Sequence, residues 1–341
     1  MVASTTNFRR LVNNLPTDFD PVADCWGLLF LNMGGPEALE DIEPYLYNIF
    51  SDASIIRLPL SFILQKSLAR LIASRRTPGV REHYRLIGGG SPLLKWSRKV
   101  ADDIEKNLRQ YYPNMISLVG MRYSPPFIGE AMDKANAAGC RHLMVVPFYP
   151  HYSLVTTGTA LMEINRWLSS NSAKLSASVI SDWHDCPGYI ELLKVKISEA
   201  MNKVENPDMA RLVFSAHSLP LKIVKSGDPY VDQVRRTVSL AGEGYDYILG
   251  FQSRSGPVKW QGPETVEIVD KLGREGVREI VIVPISFVSD HIETLYEIDI
   301  EMKELALRAG IKSLIRTESF NDDPRFISFL SEMISRRLES I

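Results

Sequence analysis

Cysteine is scarce in this chain of 341 residues: Cys25, Cys140 and Cys186 are the only three. They stand far apart with no C-x-x-C pair, which excludes a disulfide framework and a thiolate zinc or iron–sulfur site of ordinary spacing. Long apolar runs are lacking too, and none approaches the roughly eighteen residues of a membrane span. The first seventeen residues contain Arg9 and Arg10 but no acid, and they lack the apolar core of a secretory signal. They read as part of an N-terminal arm, residues 1–26, on a cytoplasmic protein. Charge of one sign is not in excess. With 39 Lys and Arg against 41 Asp and Glu, a net of −2 leaves no electrostatic footprint for nucleic acid. Two catalytic signatures are also missing. Gly88-Gly-Gly90 is not G-x-G-x-x-G and has no lysine after it, so it does not read as a nucleotide site. Ala216-His-Ser-Leu-Pro220 lacks the flanking glycines of a serine nucleophile elbow.

What is present is a core-forming chain, 45% hydrophobic, in which strand-like runs alternate with helical stretches. That alternation predicts an α/β fold with parallel sheets. Strands are expected at Leu28–Leu31, Ile116–Val119, Leu143–Val146 and Ala177–Ile180, and again at Leu212–Phe214, Ile248–Phe251, Ile280–Val283 and Ser313–Ile315. The two sets resemble each other. Leu28-Leu-Phe-Leu-Asn-Met-Gly-Gly-Pro36 aligns without a gap on Leu212-Val-Phe-Ser-Ala-His-Ser-Leu-Pro220, and Met144-Val-Val-Pro-Phe148 echoes Val281-Ile-Val-Pro-Ile285. Such similarity suggests a duplicated half: residues 27–190 and 191–341, facing each other across a cleft, with the last helix able to pack back on the first half. The first half carries roughly fifty extra residues between its first two strands, too many for an ordinary connection. This insertion, about 50–100, is expected to form a lip, with a helix over Leu60–Ile72 that displays Phe62, Ile63 and Leu64 beside Lys66 and Arg70. On pattern alone that helix serves equally as core.

Two constellations carry candidate chemistry. His217 lies where a buried strand stops, and the carboxyl ends of strands are where open α/β sheets bind ligands. After the run Ile280–Val283 comes Ser289-Asp-His-Ile-Glu-Thr-Leu-Tyr-Glu297. There, Asp290 followed by Glu293 has the form of a helix-capping box. Glu293, Glu297, Glu301 and Glu304 fall on one helical stripe opposite Leu295, Ile298, Met302 and Leu305. By periodicity that stripe is a solvated face. Its functional alternative is a row of carboxylates that passes a divalent metal in, or protons out, past His291 and Glu293.

Short motifs extend the argument over nearly the whole chain. The first half has Leu31-Asn-Met-Gly-Gly-Pro36, Ser74-Arg-Arg-Thr-Pro78, Ile87-Gly-Gly-Gly-Ser-Pro92, Met121-Arg-Tyr123 and Tyr149-Pro-His-Tyr-Ser153. The second has Phe214-Ser-Ala-His-Ser-Leu-Pro220, Gly227-Asp-Pro-Tyr230, Phe251-Gln-Ser253 and Ser289-Asp-His-Ile-Glu-Thr-Leu295. In this order and spacing they resemble the ferrochelatases, enzymes that insert ferrous iron into a porphyrin. The resemblance implies two Rossmann-like, chelatase-type domains with four-stranded parallel sheets. It implies His217 as the base for the pyrrole protons, with Glu293 as its acid partner, and a metal path that uses His217, Glu293, His291 and Glu297. Met33 would pack on one porphyrin face. Arg76, Tyr84 and Ser91 would hold the propionates, Trp260 and Phe287 would wall the pocket, and Arg122 and Tyr123 would lie on the metal side.

The resemblance further implies protoporphyrin IX as substrate and protohaem as product, the terminal step of haem biosynthesis. The Asn-Met-Gly-Gly-Pro version of the first motif favours protoporphyrin over coproporphyrin III. Iron and porphyrin are then substrates rather than cofactors. No iron–sulfur cluster is expected, because Leu154 stands where some relatives place a cysteine and no cysteine cluster precedes Ile341. Weak contact of the lip with a membrane surface is expected, nucleic acid is not, and a homodimer is compatible with the family. Three rivals remain: a cobalt or nickel chelatase, a two-lobed solute-binding protein and a non-enzymatic porphyrin or haem carrier. A carrier would need no carboxylate facing the histidine.

Overall fold

The computed structural model describes residues 18–55, 61–171, 174–256 and 258–339, with the backbone alone at 61–63. The first seventeen residues of the expected N-terminal arm, and the side chains of Phe62 and Ile63, lie outside the described residues.

Eight strands form two four-stranded parallel sheets, and all eight fall where the alternation of the sequence predicts them. The first sheet takes β1 (Trp26–Asn32), β2 (Met115–Met121), β3 (His142–Pro147) and β4 (Ser176–Val179) in the order β2-β1-β3-β4. The second takes β5 (Arg211–His217), β6 (Tyr247–Gln252), β7 (Glu279–Pro284) and β8 (Ser313–Arg316) in the equivalent order β6-β5-β7-β8. The gapless alignment of the halves holds at the level of single hydrogen bonds. Phe148 N donates to Leu31 O at 2.9 Å, and at the aligned positions Ile285 N donates to Ser215 O at 2.9 Å. Met33 and His217 therefore occupy matching places at the carboxyl ends of two central strands.

Helices cover the sheets. In the first, alternate residues of β1 and β3 (Leu29, Leu31, Leu143, Val145) pack against Ile128 and Met132 of α4 (Ile128–Ala137) and Ile164 of α5 (Thr159–Ser170). In the second, Val213, Ile280 and Ile282 pack against Val269 and Leu272 of the helix Thr265–Arg274 and against Ile298 and Met302.

By compactness one unit runs to Tyr149 and takes in Leu154–Asp182 and the segment from Asp322, while the other holds Pro150–Ser153 and Trp183–Asn321. The division thus falls before residue 190, because Trp183 meets Tyr189 edge-on at 4.9 Å and Tyr189 in turn packs on Phe320 of the second unit. The last helix, Pro324–Glu339, belongs to the first unit and packs on α3 (Leu93–Arg109).

The insertion contributes α1 (Ile42–Ser51) and the long helix α2 (Ser61–Leu86). Where the sequence suggests a helix ending near Ile72, α2 continues through Pro78. Ser74, whose carbonyl loses its partner to that proline, is exposed to water. Gln65, Ala69, Ala73 and Thr77 form its buried stripe, and Leu64, Lys66, Arg70, Leu71 and Arg75 are exposed.

At the start of β3, fully buried His142 lies between Ser176 Oγ (2.7 Å) and Ser178 Oγ (2.8 Å). Burial lowers its pKa from 6.5 to about 4. Between those values the unfolded chain takes up a proton that the folded chain refuses, so stability is complete above the unfolded pKa and declines as pH falls toward the folded one. We predict that the wild type loses about 2 kcal/mol relative to His142→Asn between pH 7 and pH 5. Urea unfolding at the two pH values measures it, and parallel losses in both proteins would contradict it.

Candidate active site

His217 ends the central strand of the second sheet, and its backbone is fixed from two sides. Its N–H donates to Ser286 Oγ (3.0 Å), and the hydroxyl of Tyr230 donates to its carbonyl (3.0 Å). The imidazole retains 36% of its exposure, while the Glu293 side chain retains 16%. Nδ1 lies 2.9 Å from Glu293 Oε2. With Nδ1–H donating to the carboxylate, the lone pair of the neutral ring is on Nε2. Burial acts to lower the pKa of His217, but the charge and hydrogen bond of Glu293, with the charge of Glu297, raise it above the ordinary value. Burial likewise acts to raise Glu293, and His217 and His291 outweigh it, holding that carboxyl well below the usual range.

Glu293 belongs to a π-helical segment, Glu293–Met302, bonded i→i+5 rather than i→i+4. Ser253 Oγ lies 2.7 Å from Glu293 Oε2 and 2.5 Å from Glu297 Oε2. One hydroxyl hydrogen cannot serve two ionised carboxylates. Burial, then the like charge of Glu293, push Glu297 up to about 8, so near neutrality it carries a proton and can itself donate to Ser253. The amide of Gln252 also donates to Glu297 (3.2 Å). His291 Nδ1–H donates to Ser289 O (3.1 Å), and its Nε2 stands 3.8 Å from Glu293 Oε1. Phe287 borders both imidazoles, at ring separations of 6.2 Å from His217 and 4.2 Å from His291. Trp260 is half-buried, and its indole N–H is buried without a hydrogen-bond partner.

The acid stripe therefore divides. Glu293 and Glu297 are drawn inward, and Glu301 and Glu304 are exposed, as a solvated face would be. The capping box suggested by Asp290 and Glu293 does not form, because Glu293 is committed to His217 and Asp290 accepts from Thr294, Ser319 and Asn321. Among the described residues no group of three or more His, Cys, Asp or Glu side chains is arranged to hold a metal ion.

In the first unit the glycine motifs pack backbone to backbone. Ser91 N donates to Pro36 O (2.7 Å), and a Cβ on Gly90 would collide with the carbonyl of Glu37. Gly34 adopts φ +91°, and a Cβ there would strike Ser124 Oγ. Met33 is half-buried and anchored by its own neighbours. Its N–H donates to Asn32 Oδ1 (2.9 Å), and its carbonyl accepts from Tyr123 N (2.9 Å). Tyr123 and Tyr84 are 1% and 3% exposed, and the carbonyl of Tyr84 accepts from Gly89 N (2.8 Å) in the second glycine motif. Arg76 is exposed, with its guanidinium 5.5 Å from the centre of the Phe50 ring. Arg122 Nη2 donates to Asp52 Oδ2 (2.6 Å), which also accepts from the Tyr123 hydroxyl (2.9 Å).

Residues 26–338 match the family model for ferrochelatase. The chain belongs to the ferrochelatase family. Proteins named ferrochelatase from Synechocystis sp. and Gloeobacter violaceus are 42% and 41% identical to it, covering 90% and 92% of this chain and 81% and 97% of their own lengths. A Ferrochelatase-2, chloroplastic, from Cucumis sativus is 39% identical over 96% of this chain and 66% of its own. A solved structure of SirB from Bacillus subtilis with Fe3+ shares the fold, with a TM-score of 0.52 at 14% identity over 91% of this chain and 94% of that one. Ferrochelatases are lyases that insert iron into a porphyrin. Membership in the family removes the solute-binding protein and the non-enzymatic carrier as readings.

Of the residues that the ferrochelatase motifs single out, the second unit brings together His217, Glu293, His291, Glu297 and Phe287. The first gathers Met33, Ser91, Arg122 and Tyr123 around the two glycine turns. Sequence reasoning passed over Asp52, Ser253, Gln252, Tyr230 and Ser286. Tyr230, Gln252 and Ser253 stand inside motifs already noted, which was a usable signal, whereas Asp52 has none, because its partners are about seventy positions away.

Proposed function

We propose that this ferrochelatase inserts ferrous iron into protoporphyrin IX to form protohaem, the terminal step of haem biosynthesis, with His217 as the base that accepts the pyrrole protons. The observation that carries this reading is the 2.9 Å contact between His217 Nδ1 and Glu293 Oε2 at the end of the central strand. A planar free porphyrin holds two inner N–H protons that must leave before a metal can bind four nitrogens. Binding that bends the ring tilts the nitrogen lone pairs out of plane and exposes those protons, so affinity is directed toward a transition-state-like geometry. A neutral imidazole with Nε2 unprotonated is a competent acceptor. The Glu293 carboxylate orients it and stabilises the imidazolium that forms. Ser253 and Glu297 then offer a route by which the proton leaves. The same carboxylates are suited to pass a divalent metal inward once the His217–Glu293 contact opens. Iron and porphyrin act as substrates, and no resident iron–sulfur cluster takes part.

Replacement of His217 by alanine is expected to lower iron insertion by at least about a hundredfold while porphyrin binding persists. Glu293→Gln should lower it strongly as well. Insertion rates of the wild type and both variants, measured with protoporphyrin and coproporphyrin side by side, test both parts of the reading. His217→Ala turnover above about a tenth of wild type would contradict the base. Faster insertion into coproporphyrin would overturn the substrate assignment.

Among the described residues no helix is long and apolar enough to cross a membrane. Contact with a bilayer surface is proposed instead for the exposed side of α2, where Leu64 and Leu71 retain 37% and 47% exposure beside exposed Lys66 and Arg70. One short apolar segment supports only weak, reversible association. Leu64→Ser with Leu71→Ser should reduce co-sedimentation with anionic vesicles and leave turnover of detergent-solubilised porphyrin unchanged. Equal sedimentation of variant and wild type would contradict it.

A further inference from the structure

Arg316 closes β8, and its side chain is only 10% exposed. Its guanidinium reaches two acids that lie on either side of the catalytic constellation in sequence. Nη1 stands 3.1 Å from Asp290 Oδ1. Nε and Nη2 donate to Asp299 Oδ2 at 3.1 and 2.8 Å. Asp290 immediately precedes His291, and Asp299 lies two residues beyond Glu297. One fork thus ties together both flanks of the stretch that carries His291, Glu293 and Glu297.

The two acids differ in setting. Asp290 lies in the loop that precedes the helical segment, and Asp299 lies within Glu293–Met302, bonded i→i+5. Because Asp290 is fixed outside the segment and Asp299 inside it, a change in the segment's register would move Asp299 relative to the fork. Asp290 is further held by Ser319 Oγ (2.7 Å) and Asn321 Nδ2 (2.8 Å), so its end is anchored on the segment after β8. Asp299 shares its charge with Lys303 (3.0 Å).

We propose that Arg316 is a positioning residue for iron insertion: by bridging Asp290 and Asp299 it holds the wide-turn register that directs Glu293 to His217 and Glu297 to Ser253. The inference rests on the reading of His217 and Glu293 as the base and its partner. Arg316 bonds to Asp290, Asp299, Thr317 and Ser319, and so acts on His217 and Glu293 through the segment rather than by contact. A planar, bidentate fork is needed to span two carboxylates, and a lysine ammonium cannot reproduce that geometry.

Asp299→Asn is the cleanest test, because Asp299 is partly exposed and outside the constellation, and the amide keeps its shape. The expected result in Asp299→Asn and Arg316→Met is a fall of about tenfold or more in kcat, with KM for porphyrin within about twofold. Arg316→Lys should recover part of the Arg316→Met loss. Amide hydrogen exchange should accelerate across Glu293–Met302 but not in β5 or β7. If Arg316→Met fails to fold, the Asp299→Asn result decides. Wild-type kcat in Asp299→Asn, or a fall in kcat with unchanged exchange across Glu293–Met302, would overturn the proposal. A lost His217→Ala activity beside an unaltered Asp299→Asn enzyme defeats the clamp alone, whereas an active His217→Ala enzyme defeats the base reading.

Discussion

Glu293 is an ionised carboxylate inside a protein, a state that costs several kcal/mol unless paired and hydrogen-bonded. Its partner is His217 at 2.9 Å, supported by Ser253 at 2.7 Å. Much of the second unit serves this pairing. The central strand brings His217 to its carboxyl end, Tyr230 and Ser286 lock the backbone there, and the π-helical segment turns Glu293 and Glu297 inward. Widened helical turns are found often at functional sites, and in this one two acids reach one serine while the apolar residues Ile298 and Met302 remain in the core.

The two units use one topological position for different ends. The strand end that carries His217 in the second sheet carries Met33 in the first, followed by a glycine turn. One is a titratable group tied to a carboxylate. The other is a polarisable apolar side chain on a rigid turn whose glycines admit direct backbone contact with the second glycine motif.

The fold was largely legible because both sheets are built from short apolar runs at even spacing, and each half repeats the other. The site was legible where a residue sits in a motif, as with His217 and Met33. It was misread where periodicity was projected through Glu293–Met302 as an ordinary α-helix, which placed four acids in one stripe although only two turn inward. The length of α2 was understated because the apolar run ends near Ile72, whereas the helix continues through a proline on its exposed face, which leaves the orphaned carbonyl to water. Asp52 and Arg316 could not be found at all. Their meaning comes from partners distant in sequence, and no local pattern of types announces them.

The central claim is that His217 presents an unprotonated Nε2 to the substrate because its Nδ1–H is committed to Glu293. Nitrogen-15 NMR of histidine-labelled protein, with His217 assigned by its absence in a His217 variant, reads the tautomer directly. At a pH where the ring is neutral, the account predicts a protonated Nδ1 and a bare Nε2, lost when Glu293 is replaced by alanine. A neutral ring protonated at Nε2 in the wild type would contradict it.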